Sequence, residues 1–117
     1  MDAEKNALKA VELGLEKKAF DLQLLNVQEL SSLTDYLLIA SGRSDRQVSA
    51  IAESIRIGLK DLGITPLATE GIDAGRWALL DYGDFMVHVF QPPVRSFYDL
   101  EGLWSEAPQV ALADTGI

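Results

Sequence analysis

His88 is the only histidine in the chain, and so the one side chain whose ordinary pKa suits proton transfer near neutral pH. A general base needs a nucleophile or an acid beside it, yet His88 lies inside the apolar run Met86-Val87-His88-Val89-Phe90. Asp81 and Asp84 flank Tyr82-Gly83 and have the residue types of a metal pair. No third carboxylate follows at a usable spacing, and Asp84 is accounted for by turn chemistry. Ser41-Gly42-Arg43-Ser44 follows an apolar strand and precedes a helix, the place where phosphate-binding loops sit. It has one glycine, no Gly-Lys-Ser/Thr ending and no Gly-x-Gly-x-x-Gly, so a helix cap is its expected role. Arg43, Arg46 and Arg56 are not interleaved with aromatics, which leaves a nucleic-acid groove unsupported. With no cysteine and a single histidine, thiolate ligation is impossible and a His-based zinc site nearly so. The expectation is no catalytic residue, no metal and no cofactor.

The elements that carry these residues are legible from periodicity. Leu8, Val11 and Leu15 recur at helical spacing over Ala3 to Lys18. Phe20 to Val27 alternates apolar with polar and predicts a half-wet strand, whereas Tyr36 to Ala40 is apolar on both faces and belongs in mid-sheet. Ser44-Asp45-Arg46-Gln47 has the form of a capping box, and Val48, Ile51, Ile55, Leu59 and Leu62 continue as an amphipathic helix ended by Gly63. A short strand over Thr65 to Thr69 and a loop from Glu70 to Gly75 come next. Trp77 to Tyr82 and Phe85 to Gln91 form two strands joined by Gly83-Asp84, which suits a type II′ turn. A last helix spans Val94 to Trp104, with Phe97, Leu100 and Trp104 at helical spacing. The order αββαβββα predicts an α/β class in the loose sense, or α+β, with helices on a mixed five-stranded sheet.

The hairpin sorts its own side chains. If Gly83-Asp84 closes it, Tyr82 opposes Phe85, and directly opposed residues point to the same face. One face then carries Ala78, Leu80, Tyr82, Phe85, Val87 and Val89, as expected beneath a helix. The other carries Trp77, Leu79, Asp81, Met86, His88 and Phe90, large apolar groups mixed with an acid and an imidazole. That mixture has the composition of an interface patch. The alternative is that a helix packs here too, with Asp81 and His88 at its margin.

A length of 117 residues fits one domain, expected over residues 1–107, with 108–117 as a weakly ordered tail. The net charge of −8 disfavours binding to phosphates and favours encounter with basic proteins. The N-terminus has no signal-peptide pattern and no apolar run is long enough to span a bilayer, so a cytoplasmic location is expected.

Several segments together resemble one family. Thr34-Asp35-Tyr36-Leu37-Leu38-Ile39-Ala40-Ser41-Gly42, Ser44-Asp45-Arg46-Gln47-Val48 and Glu70-Gly71 are the first of them. Trp77-Ala78-Leu79-Leu80-Asp81-Tyr82-Gly83-Asp84, Val87-His88-Val89-Phe90 and Arg95 to Trp104 follow in order. The pattern resembles the ribosome-silencing factor, or iojap-related, family from Ala3 to about Ala107. The resemblance implies a nucleotidyltransferase-like fold that has lost its chemistry, the alternative being an unusual enzyme of that type. It implies a chain that docks on the large-subunit ribosomal protein numbered fourteen and blocks subunit joining. It also implies that the Trp77 strand forms the contact surface through Trp77, Leu79 and Asp81, to which the hairpin pairing adds Met86 and His88. A homodimer through the same face is a further expectation. Pro92-Pro93 departs from the charged connection that the family pattern leads one to expect before the last helix.

Overall fold

The computed structural model describes residues 2–112. Helix α1 (Ala3–Glu16) starts at Asp2, whose carboxylate accepts hydrogen bonds from the amides of Glu4 and Lys5. It buries Ala7, Ala10, Val11, Leu13 and Gly14 and stops before Lys18, which takes a φ of 65. Strand β1 (Phe20–Asn26) is bulged between Phe20 and Gln23, and β2 (Tyr36–Ser41) is buried at every residue. Helix α2 (Asp45–Lys60) is capped by Ser44, whose hydroxyl accepts from the Gln47 amide, and buries Val48, Ile51, Ala52, Ile55 and Leu59. Leu62, expected to extend that stripe, lies past the helix end and is exposed. Strands β3 (Ala68–Glu70), β4 (Trp77–Asp81) and β5 (Phe85–Phe90) complete a sheet of order β1-β2-β5-β4-β3. Strands β2 and β5 run parallel and the other neighbours antiparallel, so the sheet is mixed and five-stranded, as expected.

The final helix is not continuous. It divides into α3 (Pro92–Tyr98) and α4 (Leu100–Leu103) at Asp99, which adopts left-handed φ/ψ of 47 and 56. Its carboxylate then accepts from the Gly102 amide, capping the second piece. The element order is therefore αββαβββαα, correcting the single helix over Val94 to Trp104.

Two cores lie on opposite faces of the sheet. Helices α1 and α2 cover the first, against Leu24, Leu38, Ala40, Ala78, Leu80, Phe85, Val87 and Val89. The second and smaller core gathers Leu25, Val27, Leu37, Ile39, Phe90 and Ala107, with Val94, Leu100 and Trp104 packed on it. Residues 108–110, expected in the tail, pair with the outer edge of β1: Asn26 donates to the Pro108 carbonyl and Val110 to that of Leu24, each at 2.8 Å. Residues 113–117 of that tail lie outside the described residues.

Candidate docking face

The hairpin register matches the one that the turn predicts. Trp77 opposes Phe90, Leu79 opposes His88 and Asp81 opposes Met86, with Gly83 at a φ of 87 in the turn. Ala78, Leu80, Val87 and Val89 face the first core and are fully buried. Trp77, Leu79, Asp81 and Met86 face the other way and are only half-buried, because the second core covers chiefly the β1, β2 and β5 part of that face. Glu70 and Ala68 of β3, opposite Leu79 and Asp81, are exposed.

The polar groups of this face are largely committed to one another. The Trp77 indole donates from Nε1 to His88 Nδ1 at 3.0 Å. Its ring lies 4.9 Å from that of Phe90 and 4.6 Å from that of Tyr98 on α3. His88 is only 8% exposed, and burial pushes its pKa down to about 4, so the ring is neutral at pH 7. With Nδ1 accepting, the ring proton belongs on Nε2. His88 thus sits largely beneath the surface and fixes the indole. Asp81 accepts from the Gly83 amide at 2.9 Å, so the turn chemistry expected of Asp84 is performed by Asp81.

Helix α3 adds a flank to this face. Of the three residues at helical spacing, Leu100 and Trp104 pack on the second core, but Phe97 is 81% exposed. The break at Asp99 removes the continuous helical register that would have aligned all three. Tyr98 is also exposed, and Arg76, Trp77, Pro93, Val94, Phe97 and Tyr98 line a recess of about 430 Å³.

The Ser41–Ser44 turn is occupied by structural contacts. Ser44 caps α2, Gln47 Oε1 accepts from the Arg43 amide, and Gln47 Nε2 donates to the carbonyls of Lys17 and Lys18 at 3.2 Å each. A Cβ on Gly42 would lie 3.0 Å from a Val48 methyl and 3.1 Å from the Val48 amide, so the turn is closed against its helix. Among the described residues, no group of three or more His, Cys, Asp or Glu side chains is placed to hold a metal, and no helix is long and apolar enough to cross a membrane.

A family model described as "Ribosomal silencing factor during starvation" matches residues 1–116. The ribosomal silencing factor of Bacillus subtilis is 45% identical over 93 residues, covering 80% of this chain and 79% of that protein. The ribosomal silencing factor of Chromobacterium violaceum is 38% identical over 104 residues, 89% of this chain and 85% of that one. A crystal structure of a C. violaceum protein superposes with a TM-score of 0.88 at 36% identity, covering 97% of this chain and 93% of that one. Matched in sequence and in fold over most of its length, the chain belongs to the ribosomal silencing factor family.

Proposed function

We propose that this chain represses translation in the cytoplasm by docking on the large ribosomal subunit, through the protein numbered fourteen, and sterically preventing the small subunit from joining. The observation that carries this reading is the incomplete cover of the second sheet face. Trp77, Leu79 and Met86 remain half-exposed there, beside the exposed Phe97 and Tyr98. A fixed aromatic surrounded by aliphatic groups has the make-up of an interface anchor, and its geometry is set before any partner arrives. The net charge of −8 favours encounter with a basic ribosomal protein. The nucleotidyltransferase alternative is disfavoured because the turn that would meet a nucleotide is committed to capping and packing.

The test is a sedimentation assay with isolated subunits. The wild-type chain should co-sediment with large subunits and lower the fraction of joined ribosomes. Leu79→Arg should abolish both effects, and Phe97→Ala should weaken docking by about 2 kcal/mol while leaving the fold unchanged. Trp77→Ala is a poorer probe, because that indole also packs against the second core. Subunit joining that proceeds equally with and without the wild-type chain would overturn the proposal.

A further inference from the structure

The guanidinium of Arg95 is the most deeply buried cation among the described residues, and the docking reading gives it no contact with a partner. Arg95 is 8% exposed. Its Nε donates to Glu101 Oε2 at 2.7 Å, and its Nη1 donates to Ser41 Oγ, also at 2.7 Å. Ser41 is the last residue of β2 and is itself 1% exposed, while Glu101 belongs to α4. One planar group therefore ties the sheet, α3 and α4 together across the left-handed residue Asp99.

A buried ion pair is a weak source of net stability, because desolvation offsets much of the attraction. What such a pair can supply is a unique arrangement, since guanidinium donors lie in a rigid plane and accept only a narrow set of partner positions. Here the apolar attachment of the elbow already exists: Val94, Leu100 and Trp104 pack on the second core. Greasy contacts of this kind hold a short helix to a sheet but leave its rotation loosely fixed. Rotation matters because Phe97 and Tyr98 lie two and three residues beyond Arg95, and Tyr98 meets the Trp77 ring at 4.6 Å.

We propose that Arg95 is a positioning residue, which through Ser41 and Glu101 locks the α3–α4 elbow in the rotation that sets Tyr98 against Trp77 and presents Phe97 as the flank of the docking face. The inference rests on the docking reading above for its functional consequence, though not for its structural one.

Trp77 and Trp104 are the two tryptophans, so Trp104→Phe makes Trp77 the sole indole reporter. In that background, Arg95→Lys keeps the charge but loses the planar fork. The expected result is a folded protein whose Trp77 emission shifts to the red as Tyr98 leaves it, and whose binding to isolated large subunits weakens about tenfold or more. Glu101→Gln keeps an acceptor for Arg95 and should produce smaller changes in the same direction, a readable result even if Arg95→Lys fails to fold. Leu59→Ala, in the first core, serves as the control: it should lower the melting temperature while leaving emission and docking at wild-type values. Unchanged emission in the folded Arg95 and Glu101 variants, or a Leu59→Ala control that loses as much docking as they do for the same drop in melting temperature, overturns the inference. Emission is read without ribosomes, so it decides the role of Arg95 even where the wild-type chain does not dock.

Discussion

At the scale of single residues, the Trp77–His88 pair shows how a side chain of catalytic type is put to structural use. The neutral imidazole accepts from the indole, and burial holds its pKa at about 4 against an ordinary value of 6.5. In the unfolded chain the ring takes up a proton as pH falls through 6.5, whereas in the folded chain it resists until about 4. The unfolded state therefore binds more protons across that window, and stability falls as pH falls through it. The full difference amounts to about 3 kcal/mol at most, present above pH 6.5 and lost progressively towards pH 4. Chemical denaturation at a series of pH values should show this slope, and His88→Gln should flatten it. A wild-type protein equally stable at pH 4.5 and pH 7 would show that the ring is not held neutral. Between pH 6.5 and 8 the pair does not titrate, so the indole should keep one orientation throughout that range.

At the scale of elements, turn glycines decide how β4 is delivered to the sheet. Gly75, just before Trp77, has a φ of 73, and a Cβ there would come within 2.2 Å of the Asp45 carbonyl oxygen at the start of α2. Gly63, after α2, has a φ of 82 but nothing within 4 Å of the same atom. Gly63→Ala thus meets only the backbone penalty, about 1 kcal/mol, while Gly75→Ala must also displace a helix terminus and should cost about 3 kcal/mol. Thermal melts of the two variants measure the difference; equal losses would mean that the loop yields freely. The sequence showed both glycines but only one of these situations, because the closeness of Gly75 to Asp45 is a tertiary contact between distant positions. Local signals carried what they could. The capping box at Ser44, the all-apolar β2 and the Gly83-Asp84 turn gave helix, central strand and hairpin register, each fixed by near neighbours. The break at Asp99 was not legible, since a non-glycine residue in a left-handed conformation gives no periodic sign. With it went the exposure of Phe97 and the role of Arg95, whose partner Ser41 lies 54 positions away. The pairing of residues 108–110 with β1 was missed for the same reason: backbone hydrogen bonds leave little trace in side-chain pattern.

At the scale of the whole molecule, the proposed docking gives the two faces of the sheet different work, folding on one and recognition on the other. The first face is closed by two long helices and holds most of the buried apolar side chains. The second is closed only in part, by two short helices of seven and four residues, and so keeps apolar surface open at β4 and α3. Net charge acts at the same scale, through the field of the entire chain. With −8 on 117 residues and an apolar contact surface, attraction to a basic partner should govern the approach, while the apolar contacts govern how long the complex lasts. Stopped-flow mixing with large subunits should therefore show an association rate falling about tenfold or more as salt is raised from dilute buffer to roughly 0.5 M. The dissociation rate should change little over the same range and should instead rise in Leu79→Arg and Phe97→Ala. A dissociation rate that climbs steeply with salt would place the binding energy in ion pairs, and the half-open apolar face would then not be what holds the complex together.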